Sequence, residues 1–144
     1  MPEKETLERA RKDKREGKAA STQAGEFVRE EIEHIREGKH GARSTKQAIA
    51  IGLSKARRAG VDLPPSQGSS EETKEQAERD LSKAKSGKRP SATRSRATRK
   101  ALKREGHSAA SKQALSRQAR SAAKKRSAAS RSRSAKKAAA TRKK

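Results

Sequence analysis

The sequence predicts a mainly α-helical protein: a small helical hairpin (about residues 22–37 and 45–59), flanking charged helices and a long, largely disordered basic C-terminal tail. Large apolar residues concentrate in residues 27–63, where they recur at helical spacing. Hydrophobic residues make up only 28% of the chain, charged residues make up 40%, and Phe27 is the one aromatic residue. Such a composition supports a small core at most, because little apolar burial is available to offset the entropy of ordering.

The first two predicted helices differ in the face they offer for packing. Residues 3–16 interleave acids and bases around one large apolar residue, which is typical of a solvated helix, and Gly17 ends it. Residues 22–37, capped by Ser21 or Thr22, place an apolar stripe on one side and glutamates on the other. The acidic face is expected to be solvated, or to pair weakly with the basic tail when the tail has no other partner.

The helix predicted over residues 45–59 has the clearest boundaries. Ser44 and Gln47 form a capping box at its start. Gly60 occupies the position of a left-handed C-terminal residue, and Val61 then closes the turn. Small residues recur every four positions inside the helix, which predicts a seam that packs closely on the helix over 22–37: Ala48, Gly52 and Ala56. This hairpin would also allow weak self-association.

Composition divides the chain into four parts: a charged N-terminal helix (1–20), the hairpin core (21–63), a linker with a polar helix (64–86) and the basic low-complexity tail (87–144). Ser69 and Glu72 are the predicted capping box of the polar helix, over residues 70–86. In the tail, residues 92–105 and 109–126 are expected to become helical only when counter-charge arrives, and the residues from 127 onward are expected to stay disordered.

Charge is distributed very unevenly. Residues 1–80 carry a net charge of +1, whereas residues 81–144 hold 23 Lys and Arg and a single acid, Glu105, for a net charge of +22. About 22 excess cations match the phosphate charge on about 37 Å of duplex DNA. A polycation of this density indicates a polyanionic partner, and the absence of aromatic residues from the tail favours contact with a duplex backbone over base stacking.

The tail cations are therefore the predicted nucleic-acid-binding residues: Lys88, Arg89, Arg94, Arg96, Arg99, Lys100, Lys103, Arg104, Lys112, Arg117, Arg120, Lys124, Lys125, Arg126, Arg131, Arg133, Lys136, Lys137, Arg142, Lys143 and Lys144. A second, local candidate is the glycine-containing turn that leads into the helix over 45–59, where free backbone N–H groups favour a phosphate. Its candidate residues, with the cations at the other end of that helix, are Lys39, Gly41, Arg43, Ser44, Lys46, Lys55, Arg57 and Arg58.

No enzyme signature accompanies these features. The chain has no cysteine, and its three histidines, His34, His40 and His107, do not form an i,i+4 pair, so the sequence predicts no metal site, no cofactor and no catalytic residue. No apolar run approaches the length of a membrane span, and the N-terminus does not resemble a secretory signal. The expected location is the cytoplasm, at the nucleoid, and no membrane partner is expected.

Two resemblances follow from these residues. The stretch KHGARSTKQAIAIGLSKARRAG, residues 39–60, resembles the core of a family of small basic bacterial proteins of unknown function, and the likeness covers roughly residues 20–65. Residues 83–144 resemble the Lys/Ala/Ser-rich tails of linker-histone-like bacterial nucleoid proteins, although the winged-helix domain of linker histones is absent. The second resemblance implies a histone-like, nucleoid-associated protein that compacts DNA.

The sequence leaves two other functions open. One is an RNA- or ribosome-associated basic protein, because structured RNA offers the same phosphate backbone. The other is a protein-interaction module, in which the hairpin docks a partner and the tail serves only for localisation. A faint internal repeat also stays open: residues 104–115 and 36–49 share an R-E-G turn followed by a serine and a K-Q-A sequence, with gaps of different length.

Overall fold

The computed structural model describes residues 2–143 and contains no strand among them. Seven α-helices follow one another along the chain: α1 (Lys4–Arg15), α2 (Ala20–Arg36), α3 (Thr45–Arg58), α4 (Glu71–Ser86), α5 (Ala92–Lys103), α6 (Lys112–Lys124) and α7 (Ala128–Arg142). A short 3-10 helix, Ser108–Ala110, lies between α5 and α6. The mainly α fold class is therefore confirmed.

The hairpin of α2 and α3 forms the centre of the fold. The small-residue seam is confirmed, because Ala48, Gly52 and Ala56 are all buried. A Cβ atom added at Gly52 would lie 2.6 Å from the Cα atom of Val28, so the backbones of the two helices come unusually close at this point. The Schellman turn at the end of α3 is confirmed as well: Gly60 has φ +99° and the Val61 N–H donates to the Ala56 carbonyl at 3.0 Å.

The start of α3 has the predicted cap with one difference. Ser44 Oγ accepts a hydrogen bond from the Gln47 N–H at 3.1 Å, but the Gln47 side chain accepts from the Arg43 N–H instead of reaching back to Ser44. Two other predicted caps are wrong. The N-cap of α2 is Ala19, without a side-chain bond, and α4 is capped by Ser70, one residue after the predicted serine.

The N-terminal helix α1 is not the solvated helix that its composition predicts. It packs on α2, and Thr6 and Ala10 are buried. Ala10 joins one of two small apolar clusters, which it shares with Ala24, Phe27, Ala56 and Val61. The hydrophobic pattern of the sequence does not indicate this contact, because small residues such as Thr and Ala can be buried without forming an apolar stripe.

The prediction of a largely disordered tail is wrong, since α5, α6 and α7 occupy most of residues 92–142. Two local properties explain the difference. Alanine, lysine and arginine have high intrinsic helix propensity. In addition, Ser91, Ser111 and Ser127 each accept a hydrogen bond from a backbone N–H in the first turn of the helix that follows. Charge repulsion between side chains that point into solvent does not prevent these helices from forming.

Part of the tail packs against the hairpin. Ala109 and Ala110 are buried in the second apolar cluster, with Ile32, Ile35 and Ala48. The main chain of this segment, residues 102–110, also accepts four hydrogen bonds: from the Gly41 N–H to Leu102 O, from the Ala42 N–H to Gly106 O, from Thr45 Oγ1 to Ala109 O and from Arg36 Nε to Ala110 O. By contrast, α5 and α7 have no buried residue.

The two halves of the faint repeat meet at this contact. Ser111 caps α6 through the Ala114 N–H at 3.1 Å, as Ser44 caps α3. The glycines differ, because Gly38 has φ +76° and Gly106 is not among the described residues with positive φ. The shared feature is therefore the serine cap and not the turn before it.

A buried carboxylate attaches α4 to α3. Asp80 is fully buried, and its oxygens accept hydrogen bonds from Arg58 Nε at 2.8 Å, Ser54 Oγ at 2.7 Å and Gln76 Nε2 at 3.1 Å. Charge-assisted hydrogen bonds of this kind are the stronger ones in proteins. The polar helix is therefore held by a specific polar contact as well as by the buried Ala77.

Replacing Asp80 with asparagine should lower the free energy of unfolding by about 2 kcal/mol, because hydrogen bonds to a charged group are worth about 1.5–3 kcal/mol. Urea denaturation followed by circular dichroism measures this change. The exposed Glu78 on the same helix provides the control, and Glu78→Gln should change stability by less than about 0.5 kcal/mol. Equal losses in the two variants would contradict the assigned role of Asp80.

Candidate nucleic-acid interface

The predicted tail cations lie on the surface without carboxylate partners. All twenty of those within the described residues are exposed, from Lys88 to Lys143, and Lys144 lies outside the described residues. Within residues 2–143, every ion pair joins residues that precede α5. The positive charge of α5, α6 and α7 is therefore not neutralised by the described part of the chain.

The cations of α7 surround the helix. Successive residues are rotated by about 100° in an α-helix, so Arg131, Arg133, Lys136 and Lys137 point in different directions around the axis. The helix has 15 residues, which corresponds to about 22 Å of length. A helix of this kind offers charge in every direction and no single face with which to read bases.

The turn predicted as a phosphate site is largely covered by the tail. The N–H groups of Gly41 and Ala42 donate to tail carbonyls at 2.9 and 3.0 Å. A Cβ atom at Gly41 would lie 2.1 Å from the carbonyl oxygen of Glu105, so the close approach that glycine allows is used by the main chain of the tail. These two N–H groups are engaged within the chain and not free for an anion.

Most of the hairpin cations also have partners inside the protein. Lys39 pairs with Glu3 and Glu37 at 3.2 and 3.1 Å, and Lys55 pairs with the buried Glu31. Arg58 pairs with Asp80, as described above. Arg57 is buried, and its Nε donates to the Leu63 carbonyl at 2.7 Å. These four side chains stabilise the fold, which sequence spacing alone could not distinguish from phosphate binding.

Three predicted hairpin residues are exposed and form no ion pair with a described residue: Arg43, Ser44 and Lys46. Arg43 and Ser44 line a shallow cleft of about 250 Å³ together with Ser108 and Arg117. An arginine of α6 and an arginine of the hairpin thus line the same cleft. In the sequence Arg43 and Arg117 belong to separate candidate sites, and no local pattern places them together.

The acidic face of α2 does not pair with the tail. Glu26 pairs with Arg9 of α1 at 2.6 Å, and Glu33 pairs with Arg29 of the same helix at 2.9 Å. Glu30 and Glu31 are almost fully buried, at 2% and 1% exposure. The expected contact between this face and the tail is therefore absent from the described residues, because the carboxylates are used between α1, α2 and α3.

Two histidines meet the buried carboxylates at the hairpin turn. The rings of His34 and His40 lie edge to face with their centroids 5.9 Å apart. His40 Nε2 lies 3.2 Å from Glu31 Oε2, and its Nδ1 lies 2.9 Å from the Gly41 carbonyl. Because the two histidines are six residues apart, a search for i,i+4 spacing misses this cluster.

Glu3 extends the same cluster to the surface. Its Oε1 lies 2.9 Å from His34 Nε2 and 3.2 Å from Lys39 Nζ. The hydrogen bond with His34 and then the one with Lys39 lower the pKa of this carboxyl group below its ordinary value. Glu3 is therefore ionised at neutral pH and tethers the start of α1 to the hairpin.

Comparison with known proteins supports only part of this picture. No helix within residues 2–143 combines the length and apolar character needed to cross a membrane. Neither the curated proteins nor the solved structures include a match. The likeness of residues 83–144 to nucleoid-protein tails accordingly stays a prediction. Residues 11–67, which include the hairpin and the stretch 39–60, match the model of a family of unknown function (DUF6496).

Proposed function

We propose that the protein binds duplex nucleic acid without reading its sequence, by neutralising backbone phosphates with the cations of α5, α6 and α7. The observation that carries the proposal is that all twenty described tail cations are exposed and none pairs with a carboxylate. Chromosomal DNA is the proposed ligand, and the proposed role is that of a nucleoid-associated, histone-like protein in the cytoplasm. No catalytic step forms part of the proposal.

Counterion release supplies the driving force. Each phosphate that a lysine or arginine neutralises frees condensed cations from the duplex, and this gain does not depend on base sequence. Because the tail cations have no carboxylate partner in the described chain, no internal ion pair has to break before they contact phosphate. The preformed helices reduce the ordering cost that a disordered tail would incur on binding.

The distribution of side chains argues against base reading. A recognition helix places arginine, asparagine or glutamine on one face that enters the major groove, whereas α7 carries cations all round. Phe27 is the only aromatic residue and is buried, so no base can stack on it. Stacking is the usual source of single-strand affinity, and its absence favours a duplex.

A second contact would allow the protein to compact DNA. Arg43 and Arg117 line the same cleft as Ser44 and Ser108, and guanidinium groups bind phosphate well. A duplex held there and another held by α7 would be bridged. Bridging of this kind is the proposed basis of compaction.

Charge neutralisation in two matched helices tests the proposal. The test variant replaces four exposed cations of α7 with glutamine: Arg131, Arg133, Lys136 and Lys137. The control variant replaces four exposed cations of α1 with glutamine and therefore has the same net charge: Lys4, Arg11, Lys14 and Arg15. Duplex affinity is measured against salt concentration for two unrelated DNA sequences.

The α7 variant should lose about 3 to 4 units of slope in log K against log salt, because each lost phosphate contact contributes about 0.9. Wild type should bind both sequences equally, and the α1 variant should retain nearly the full slope. Equal losses in both variants would show that only net charge matters. A shallow wild-type slope, or a strong preference for one sequence, would contradict the proposed mechanism.

Structured RNA is the alternative ligand, because its backbone has the same charge chemistry. Competition at fixed salt between a DNA duplex and a folded RNA of equal length separates the two. Preference for the RNA would indicate an RNA- or ribosome-associated protein instead. Failure of the wild-type protein to bind either nucleic acid would instead favour the hairpin as a protein-interaction module with a localising tail.

A further inference from the structure

The side chains at the hairpin turn have the composition of a metal site. Glu31 and His34 are three residues apart on α2, so they lie on the same helix face, and His40 approaches from the turn that follows. One ligand atom from each of the three residues lies within 4.8 Å of the other two. Ligand atoms of a tetrahedral zinc site are about 3.5 Å apart, so small side-chain rotations would close the site.

The hydrogen bonding of His40 leaves its Nε2 facing a carboxylate oxygen without an assigned proton. A carbonyl oxygen only accepts hydrogen bonds, so the 2.9 Å contact with Gly41 O identifies Nδ1 as the protonated nitrogen. In a neutral ring, Nε2 then presents a lone pair to Glu31 Oε2, which is 3.2 Å away. Two lone pairs repel at this distance unless a proton or a metal cation lies between them. A backbone carbonyl on the other nitrogen is the usual arrangement for a metal-bound histidine.

An unsatisfied oxygen points to the same place. Glu30 is 2% exposed, and its Oε1 accepts no hydrogen bond from any described residue. This oxygen lies 3.9 Å from His34 Nε2 and 3.9 Å from Lys55 Nζ. Buried carboxylate oxygens without partners are costly and rare, so an additional cation would remove the deficit.

The cluster also contains more negative than positive formal charges. Four carboxylates belong to this connected network: Glu3, Glu30, Glu31 and Glu37. Two ammonium groups, those of Lys39 and Lys55, oppose them. One divalent cation would bring the sum to zero. Lys55 contacts Glu31 through Oε1, which leaves Oε2, on the side of His40, for a metal.

We propose that Glu31, His34 and His40 bind a zinc ion. His34 Nε2 would exchange its hydrogen bond with Glu3 for the metal, and Glu30 Oε1, 3.9 Å from that nitrogen, is the candidate fourth ligand. Two imidazoles and carboxylate oxygens suit a first-row transition metal and not Mg²⁺ or Ca²⁺, which prefer all-oxygen sites. With Glu30 as the fourth ligand the site would have no open position, and its role would be structural. It would hold the hairpin turn in the conformation that contacts the tail. The inference differs from the nucleic-acid proposal and from the sequence expectation that no metal binds.

Zinc titration of the tag-free, full-length protein tests the proposal in the absence of nucleic acid. After treatment with a chelator, the protein should bind one Zn²⁺ per chain in competition with a chromogenic chelator, and Zn²⁺ should raise the Tm. Co²⁺ should give the visible absorption of a tetrahedral site. Background binding is small, because the chain has no cysteine and only three histidines.

Three histidine variants provide the comparison. His34→Ala and His40→Ala should each weaken Zn²⁺ binding more than about 100-fold, since even the loss of a residue that only supports a ligand costs 10–100-fold. His107→Ala, which removes the exposed histidine outside the cluster, should bind as wild type does. Circular dichroism checks that each variant remains helical. Should a histidine variant unfold, Glu30→Gln provides a second test, because loss of this ligand should change the visible Co²⁺ absorption.

Failure to bind Zn²⁺ at micromolar concentration would overturn the proposal. Equal weakening by His107→Ala would overturn it too, as would equal binding of Mg²⁺. None of these outcomes would affect the nucleic-acid proposal, because the salt-dependence experiment uses different residues.

Discussion

Replacing Gly52 with alanine should destabilise the protein by about 3 kcal/mol or more. The added Cβ would lie 2.6 Å from the Cα atom and 2.9 Å from the backbone nitrogen of Val28. Those atoms belong to the main chain of α2, so no side-chain rotation relieves the clash and the two helices must move apart. Overpacking of a well-packed core typically costs about 1–3 kcal/mol, and this contact is with backbone. Urea denaturation followed by circular dichroism measures the loss.

Gly25 is the matched control for this experiment. It also lies within a helix, α2, but a Cβ atom added there meets nothing within 4 Å. Gly25→Ala should therefore stabilise the protein by about 0.5–1 kcal/mol, because alanine costs less conformational entropy in a helix. The same methyl group thus has opposite effects at the two positions. Wild-type stability of Gly52→Ala would mean that α2 and α3 are not in close contact.

The sequence predicted the hairpin because its signals are local. A four-residue recurrence of small side chains, a serine cap and a left-handed glycine each depend on neighbours within one or two turns. The structure has all three at or near the expected residues: the seam around Gly52, the cap at Ser44 and the turn at Gly60. Local patterns of this kind can be recognised without knowing what the helix packs against.

The contacts made by the tail could not be predicted in the same way. Ala109 and Ala110 are buried, but the tail contains many alanines and nothing in the sequence separates these two from the exposed ones. The acidic face of α2 gave the opposite error: Glu30 and Glu31 resemble solvated glutamates in sequence and are buried in the structure. Burial of small or charged residues depends on tertiary partners, which a periodic pattern does not reveal.

The exposure of the tail cations could be predicted from composition, whereas the contacts of the hairpin cations could not. The tail cations could be recognised because charge density follows from the sequence alone, without knowledge of the fold. The hairpin cations that pair within the protein could not be told from those that are available to phosphate. In the sequence, an arginine that pairs with a buried aspartate, such as Arg58, looks the same as one that faces solvent, such as Arg43. Only the fold distinguishes a cation that is already paired from one that is available to phosphate.

Replacing Gly41 with alanine should release the tail segment 102–110 from the hairpin. The new Cβ would lie 2.1 Å from the carbonyl oxygen of Glu105 and 2.4 Å from that of Gly106, so the two chain segments must separate. Separation breaks the hydrogen bonds from the Gly41 and Ala42 N–H groups and exposes the buried alanines. At about 1 kcal/mol for each hydrogen bond, with the lost burial in addition, the local cost is about 3 kcal/mol. Hydrogen exchange should show about 100-fold less protection of the Ala42 amide.

Gly106→Ala serves as the control on the opposite side of the same contact, because a Cβ atom there meets nothing within 4 Å. The Ala42 amide of Gly106→Ala should keep wild-type protection from exchange. Full protection of this amide in Gly41→Ala would mean that the tail segment does not contact the hairpin there.

Gly41→Ala also separates the two proposed phosphate contacts. Release of the segment parts Arg117 from Arg43 but leaves α7 intact, so DNA bridging should weaken while most of the salt dependence of binding remains. Loss of the whole salt dependence would instead mean that the tail binds only when it is held against the hairpin.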